Sequence, residues 1–251
     1  MALRDTIRAW NYFGKKEPLW AILNDKTKKE NAWDPDEFFK TGREEIERIM
    51  EDLSALGIAP ARGAALDFGC GAGRLTQALT YFFDRVIGVD AAPSMIALAR
   101  HYDGSPGTCR YILNQTSNLG VLPDNSFDLI YSAITLQHME PQYAALYIRE
   151  FVRIARQGGV VVFQLPSERI SPPSGARATR PHILKHSIPP LFLRVWRHLR
   201  YGTQQFIEMY GTKKETVVAI LKDAGASVAD IRENRDAGDN WISFRYYAVK
   251  R

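Results

Sequence analysis

The amino-acid sequence predicts an α/β fold built on a doubly wound, mostly parallel β-sheet. Three observations support this prediction. From about residue 61 onward, short apolar runs alternate with amphipathic segments at helical spacing. A glycine-rich turn joins the first apolar run to its helix, and a short polar turn joins the last two runs. Apolar strands separated by amphipathic helices are typical of a parallel sheet covered by helices on both faces.

The first 60 residues are predicted to form a helical cap before a domain at 61–251. The stretch "DPDEFFKTGREEIERIMEDLSALG" places apolar side chains at helical spacing, with Asp34 or Asp36 as the N-terminal cap and Gly57 as the stop. Seven aromatic residues lie within the first forty positions. We expect this cap to act as a lid that excludes water, with Phe39 or Arg43 in contact with ligand.

The strands and helices of the domain follow in alternation. Strands are predicted at "GAALDFG", "RVIGVD", "CRYILN", "FDLIYSAI", "GGVVVFQLP" and "SVADIREN". Helices are predicted at "GRLTQALTYFF", "APSMIALARHY", "PQYAALYIREFVRIAR" and "TKKETVVAILKDAGA". The final run, "WISFRYYAVKR", places Ile242, Phe244, Tyr246 and Ala248 on one face. Because the short turn "RDAGDN" precedes it, we expect this last strand to run antiparallel to its neighbour.

Length and composition are those of one large globular domain. The chain has 251 residues, of which 45% are hydrophobic. No apolar run is long enough to span a bilayer and the start lacks the pattern of a signal peptide, so we expect a cytoplasmic protein. Cys70 and Cys109 are too few for a disulfide framework and are expected to be free thiols. No compact His/Asp/Glu ligand set is present, so no metal is expected.

The basic excess belongs to one segment, which looks inserted into the alternation at 167–210. Between Ser167 and Ile207 there are seven Arg or Lys and one acid, against a net charge of +5 for the whole chain. The overall charge is therefore a poor argument for nucleic-acid binding. The amphipathic stretch 188–201 could rest on a membrane surface, bind a phosphate- or carboxylate-bearing acceptor, form a dimer contact, or lie solvated beside the core. The sequence is compatible with both a monomer and a homodimer.

The stretch "ALDFGCGAGRLTQAL" joins the first predicted strand to its helix through Gly69, Gly71 and Gly73. Glycines at such a turn let the backbone approach a ligand at the carboxyl end of the sheet. The next strand ends in Asp90, 17 residues after Gly73, where an acid can accept hydrogen bonds from both ribose hydroxyls. The spacing is G-x-G-x-G, whereas the dinucleotide fingerprint is G-x-G-x-x-G.

At this turn the sequence resembles the class I S-adenosylmethionine-dependent methyltransferases. The resemblance is carried by "LDFGCGAGRL", and continues in "PDNSFDLIYSAITLQHM" and "RQGGVVVFQLP". It implies a Rossmann-like, seven-stranded sheet whose last strand is antiparallel. It also implies S-adenosylmethionine as the cofactor, with S-adenosylhomocysteine as the product.

The resemblance also implies roles for individual residues. The turn would line the methionine and ribose portion, the acid before it would orient the turn or contact the amino group, and Asp90 would bind the ribose. Two residues after the second strand would flank the adenine, two in the loop after the third strand would meet its edge, and two at the end of the fourth would lie near the methionine. His138, in "LQHM", is the candidate general base. The cofactor-binding set is thus Asp67, Gly69, Cys70, Gly71, Gly73, Asp90, Ala91, Met95, Asn118, Leu119, Ser132 and Ala133.

The expected activity is methyl transfer to a small-molecule or glycolipid-like acceptor, with oxygen as the first candidate for the accepting atom. An anionic acceptor would suit the basic insertion. The fourth strand ends in "SAITLQHM", without the Asn/Asp-Pro-Pro-aromatic motif of enzymes that methylate adenine or glutamine amino groups, so a nucleic-acid acceptor is not expected. Two alternatives stay open: a non-catalytic module that binds the cofactor or a partner, and an NAD-linked oxidoreductase, which the glycine spacing disfavours.

Overall fold

A computed structural model of the chain describes residues 3–170 and 207–251. Most of the predicted insertion at 167–210, including the stretch 188–201, lies outside the described residues. The described residues up to Arg169 and from Ile207 onward belong to one compact unit, so the N-terminal helices pack within the same unit as the sheet.

The helices are α1 (Leu3–Lys16), α2 (Pro18–Ile22), α3 (Pro35–Ala55), α4 (Arg74–Leu79), α5 (Pro93–His101), α6 (Pro141–Ile154) and α7 (Lys214–Asp223). Short 3-10 turns lie at Lys26–Lys28 and Leu136–His138. The strands are β1 (Ala64–Phe68), β2 (Arg85–Asp90), β3 (Cys109–Leu113), β4 (Phe127–Ser132), β5 (Ala155–Arg169), β6 (Ala226–Asn234) and β7 (Trp241–Lys250). None of these described helices combines the length and the apolar character that crossing a bilayer requires.

The strands form a seven-stranded sheet in the order β3-β2-β1-β4-β5-β7-β6. β1 to β5 pair in parallel, and β7 pairs antiparallel with both β5 and β6. The predicted fold class, with its antiparallel last strand, is confirmed. The strand order reverses between β1 and β4, and ligands of doubly wound sheets bind beyond the carboxyl ends of strands at such a point.

Side chains that alternate along the strands build a core on each face of the sheet. In β1, Ala64, Leu66 and Phe68 join α6 and α7 in one core, whereas Ala65 joins α3 and α4 in the other. In β7, Phe244, Tyr246 and Ala248, which the sequence predicts to share one face, all lie in or against the first core. The period-2 pattern thus divides each strand between the two helical layers.

Helix α3 covers one face of the sheet and has the predicted ends. A side-chain oxygen of Asp34 accepts a hydrogen bond from the backbone N–H of Glu37 at 3.0 Å, which satisfies one free donor of the first turn. Gly57 follows the helix at φ +69°, and the N–H of Ile58 bonds back to the carbonyl of Leu53. This left-handed glycine ends the helix in a Schellman motif.

Candidate functional site

A pocket opens at the carboxyl edge of the sheet, where β1, β2, β3 and β4 end. Its lining includes Gly69 after β1, Asp90 at the end of β2, Asn114 after β3 and Ala133 after β4. With its open mouth included, its volume is about 960 Å³.

The glycine turn has a backbone that other residues adopt only with strain. Gly69, Gly71 and Gly73 have φ angles of +79°, +52° and +87°. A Cβ atom added at Gly71 would lie 2.8 Å from Ile22 Cδ1, and one at Gly73 would lie 2.7 Å from Tyr111 Oη. The turn therefore needs glycine for both its conformation and its close contacts, and it presents bare backbone to the pocket.

Asp90 is fastened to this turn. One carboxylate oxygen accepts from the backbone N–H of Gly71 at 3.0 Å, and the other accepts from that of Ala92 at 2.8 Å. Burial raises the pKa of Asp90, and the two backbone donors oppose that effect. The carboxylate is thus held at the pocket wall, with lone pairs left to accept further hydrogen bonds.

Eight of the predicted site residues line the pocket. Asp90 supplies a hydrogen-bond acceptor, Ala91 and Met95 supply apolar surface, and the glycine turn supplies a wall of backbone. A nucleoside with an amino-acid tail fits this set of acceptor, apolar surface and exposed backbone. The eight are Gly69, Cys70, Gly71, Asp90, Ala91, Met95, Ala133 and His138.

Five of the predicted site residues lie outside the pocket lining, and two of them hold the ends of β1 and β4 in place through buried hydrogen bonds. Asp67 is buried, and its Oδ2 accepts from the hydroxyl of Thr76 at 2.6 Å. Burial raises the pKa of Asp67 to about 7, although that hydrogen bond opposes the shift. The hydroxyl of Ser132 donates to the carbonyl of Phe68 at 3.0 Å, which ties β4 to β1.

The other three are Gly73, Asn118 and Leu119. Gly73 precedes α4 at the far side of the turn. Asn118 is exposed, and Leu119 lies in the core with its N–H bonded to Glu150 Oε2 at 2.7 Å. It is Asn114, four residues earlier, that lines the pocket after β3. Its amide nitrogen donates to the carbonyl of Asn118 at 2.8 Å, which closes the loop between these two residues.

His138 lies in the pocket wall as a neutral imidazole. Its Nδ1 lies 3.2 Å from the carbonyl oxygen of Glu208, and its Nε2 lies 3.2 Å from the amide nitrogen of Gln137. Gln137 Oε1 already accepts from Gln164, so the Gln137 amide donates to Nε2 and Nδ1 carries the proton. Burial lowers the pKa of His138 to about 4, against the effect of the bond to Glu208. Such a group is a weak base at neutral pH.

Sequence reasoning missed a buried ionic cluster at the start of α4. Arg74 is 4% exposed and lines the pocket. Its Nη2 lies 2.7 Å from Glu45 Oε2, and the hydroxyl of Tyr131 donates to the other oxygen of Glu45 at 2.7 Å. The arginine is visible in the sequence directly after Gly73, but no local pattern predicts a partner on a helix 29 residues earlier.

Ile134, at the end of the fourth-strand segment, is a second missed feature of the wall. It has φ +55°, a conformation that a β-branched residue rarely adopts. Its N–H donates to Gln164 Oε1 at 3.0 Å, which holds the strained turn. Strain of this kind, about 1–3 kcal/mol, is concentrated at functional sites.

Helices α1 and α2 cover the pocket. Ile7 and Trp10 of α1 and Ile22 of α2 contribute apolar lining, and the ring of Trp10 meets His138 edge-on at 5.3 Å. The backbone N–H of Ser94 donates to Asn11 Oδ1 at 3.1 Å, which attaches α1 to the start of α5. Helices α1 and α2 thus form one apolar side of the pocket.

The two residues predicted to contact ligand from the cap, Phe39 and Arg43, lie elsewhere. They line a separate polar hollow between α3 and α4, where Arg43 bonds to the hydroxyl of Tyr81 and stacks 4.1 Å from its ring. Within the described residues there is no group of three or more His, Cys, Asp or Glu that could hold a metal.

Comparisons with known proteins agree with this geometry. Residues 66–163 match the family described as a methyltransferase domain. Malonyl-[acyl-carrier protein] O-methyltransferase of Yersinia pestis is 34% identical over 116 residues, which are 46% of this chain and 41% of that protein. Trans-aconitate 2-methyltransferase of Enterobacter sp. (strain 638) is 28% identical over 144 residues, 57% of this chain and 54% of that protein. The chain thus spans about half the length of these curated relatives.

A similar fold occurs in the solved structure of magnesium protoporphyrin IX methyltransferase from Synechocystis PCC 6803 with bound S-adenosylhomocysteine. The TM-score is 0.62 at 17% identity, and the match covers 98% of this chain and 100% of that one. At this identity the likeness concerns the fold.

Proposed function

We propose that this chain, whose residues 66–163 match the family described as a methyltransferase domain, is a class I S-adenosylmethionine-dependent methyltransferase that transfers the methyl group of its cofactor to an oxygen atom of a small-molecule acceptor. The observation that carries the proposal is the glycine turn after β1, bonded to Asp90 at the end of β2 and open to an apolar pocket.

Within that pocket the residues would bind the cofactor by its parts. Asp90 would accept from the ribose hydroxyls, and Ala91 and Met95 would lie against the adenine. The amide of Asn114 would lie nearest its polar edge, in the place that we expected Asn118 to take. The backbone of Gly69 and Gly71 would face the ribose and methionine portion.

The cofactor, when bound, supplies a methyl group on a positively charged sulfur, and the acceptor displaces that sulfur from the methyl carbon in one step. The protein's part is to align the acceptor, exclude water and control protons. Helices α1 and α2 would close the site with Ile7, Trp10 and Ile22. His138, neutral and with both ring nitrogens bonded to Gln137 and Glu208, would form part of the pocket wall rather than remove a proton from the acceptor.

The weak basicity of His138 favours one kind of oxygen. A hydroxyl acceptor benefits from a base during transfer, whereas a carboxylate is already deprotonated at neutral pH. With its pKa near 4, His138 accepts a proton poorly at that pH. A carboxylate oxygen is therefore the acceptor that this site can methylate without a base, and a relative is named for O-methylation of malonyl-[acyl-carrier protein].

The first experiment is isothermal titration of the purified protein with S-adenosylmethionine, S-adenosylhomocysteine and NAD. Binding of both adenosyl compounds without NAD is the expected result. Binding of NAD alone would replace the proposal by an oxidoreductase. Binding of the adenosyl compounds without turnover of any acceptor would favour a non-catalytic cofactor-binding module.

The accepting atom is tested with S-adenosylmethionine carrying a labelled methyl group and a panel of carboxylic acids, alcohols and glycolipids. A carboxylate acceptor yields a methyl ester, which mild base hydrolyses to volatile labelled methanol. A label that resists base would indicate an ether, amine or carbon product and would contradict the carboxylate assignment.

A further inference from the structure

Gln164 is a buried polar side chain on β5, the strand between β4 and β7, and 1% of it is exposed. Its Oε1 accepts from the backbone N–H of Ile134 at 3.0 Å. Its Nε2 donates to Gln137 Oε1 at 3.1 Å and to Ser243 Oγ at 2.7 Å. Burying an amide is costly unless such bonds are made, so the glutamine connects β5 and β7 firmly to the segment that follows β4.

The direction of these hydrogen bonds is fixed by a backbone group. A backbone N–H can only donate, so the atom of Gln164 that faces Ile134 is the oxygen and its nitrogen faces Gln137. The atom of Gln137 that accepts from this nitrogen is again the oxygen, which leaves its own nitrogen 3.2 Å from His138 Nε2. Neither amide can turn over without placing two donors together.

A second backbone group fixes the other end of this series of hydrogen bonds. His138 Nδ1 lies 3.2 Å from the carbonyl oxygen of Glu208, which can only accept. Nδ1 therefore carries the proton and Nε2 accepts from Gln137. A second proton on the ring would bring Nε2–H against the amide nitrogen of Gln137. Both ends of the series thus favour one neutral tautomer.

Other groups surround the imidazole of His138. Burial lowers its pKa, and the carbonyl of Glu208 opposes that effect. Trp10 of α1 packs edge-on against the ring, and the carboxylate of Glu208 accepts from the hydroxyl of Tyr210. The Gln137 amide is the group that contacts Nε2 directly. The other titratable side chains in the pocket lining are Cys70, Arg74, Asp90 and Tyr147.

We propose that Gln164 is a positioning residue of this site, which acts through Gln137 to hold His138 in one neutral tautomer. The consequence for the cofactor rests on the proposed function, because S-adenosylmethionine carries a positive charge on its sulfur. A protonated imidazole in the same pocket would repel that sulfur, whereas the sulfur of S-adenosylhomocysteine is neutral. Gln164 thus keeps this part of the pocket wall uncharged for a cofactor with a cationic sulfur.

Two variants remove the donor that Gln164 presents to Gln137. Gln164→Met has a side chain of similar length without polar hydrogens, and Gln164→Glu keeps an acceptor for the N–H of Ile134. In both, Gln137 can turn its oxygen towards Nε2 and accept from a protonated ring. ¹⁵N NMR, with His138→Gln to identify the signals, reports the tautomer and the pKa of His138. The wild-type ring should stay neutral with its proton on Nδ1 at pH 5, and the variants should raise the pKa from about 4 to about 5.5 or above.

Ser243→Ala is the matched control. Ser243 is buried like Gln164 and bonds to it, but it lies outside the path from Ile134 to His138. The change removes one acceptor of Gln164 Nε2 and leaves the bond to Gln137, so His138 should titrate as in the wild type. A ring that stays neutral at pH 5 in both Gln164 variants, or an equal rise of the pKa in Ser243→Ala, would overturn the assignment.

The consequence for the cofactor is measured by isothermal titration with S-adenosylmethionine and S-adenosylhomocysteine at pH 7.5 and pH 5. The ratio of the two affinities should be the same at both pH values in the wild type and in Ser243→Ala. In Gln164→Met the affinity for S-adenosylmethionine should fall about 3-fold relative to S-adenosylhomocysteine at pH 5. An unchanged ratio in a variant whose His138 is protonated would refute the role towards the cofactor. If the wild type binds neither compound, the proposed function fails, whereas the NMR result still decides whether Gln164 positions His138.

Discussion

Replacing Asp90 by asparagine tests the centre of the proposed cofactor site. The carboxylate accepts from the backbone N–H groups of Gly71 and Ala92, and it faces the pocket. The asparagine side chain has one oxygen, so its amide group would have to face one of those two donors. The change therefore removes a hydrogen bond to a charged acceptor without altering the volume of the side chain.

Two effects of different size are expected. Loss of a hydrogen bond from a ribose hydroxyl to the charged carboxylate costs about 1.5–3 kcal/mol. This corresponds to a roughly 10- to 150-fold higher Kd for S-adenosylhomocysteine. The effect on the unliganded protein should be smaller, about 1 kcal/mol, because removing a buried charge also removes its desolvation penalty. Burial does raise the pKa of Asp90, which indicates that this penalty is present.

The assay is isothermal titration for binding, with urea unfolding of the unliganded protein beside it. Asp84→Asn is the matched control, because Asp84 is exposed at the opposite end of β2 and outside the pocket. The control should bind as the wild type does. Binding by Asp90→Asn within about 2-fold of wild type would refute the ribose assignment, whatever its effect on stability.

Three further predictions concern the walls of the pocket. The pKa of His138 is lowered to about 4 in the folded protein, so between about pH 6.5 and 4 the unfolded chain binds a proton that the folded chain does not. The free energy of unfolding, measured with urea, should therefore fall between pH 7.5 and pH 5 by about 2 kcal/mol more in the wild type than in His138→Gln. Equal pH dependence of the two proteins would refute the lowered pKa. Gly42→Ala should lower the free energy of unfolding, because the added methyl group would lie 2.5 Å from the Arg74 carbonyl oxygen. Such overpacking costs about 1–3 kcal/mol, which outweighs a gain in helix propensity of at most about 1 kcal/mol. A more stable variant would contradict the close contact. Asn11→Ala removes the acceptor for the Ser94 N–H and should speed amide hydrogen exchange in α1 but not in α3. Unchanged exchange in α1 would show that this bond does not hold α1 against α5.

The order of elements could be predicted from the sequence because the relevant signals are local. Apolar runs of strand length, amphipathic helices, the cap at Asp34 and the stop at Gly57 depend on neighbouring residues only. The turn at Gly69–Gly73 and the acid at Asp90 could be predicted to meet for a further reason. Each follows the carboxyl end of a parallel strand, and the ends of adjacent parallel strands lie at one edge of the sheet.

Local sequence patterns did not predict which residues of the loop after β3 line the pocket. The resemblance placed Asn118 at the adenine edge, whereas Asn114 lines the pocket and bonds back to the carbonyl of Asn118. The direction of a loop depends on which side chains meet its backbone. Here Glu150, on a helix 31 residues further along, accepts from the N–H of Leu119 and holds it in the core.

The sequence by itself determined the sheet, its two helical layers and the strand ends at which the proposed cofactor site lies, because period-2 and helical patterns depend on consecutive residues. Only the tertiary structure decided which distant side chains complete the site. The pairing of Arg74 with Glu45, the contact of Trp10 with His138 and the bond from Ile134 to Gln164 each join segments at least 29 residues apart. Such contacts form because folding brings unrelated faces together and buried charges and donors must then find partners.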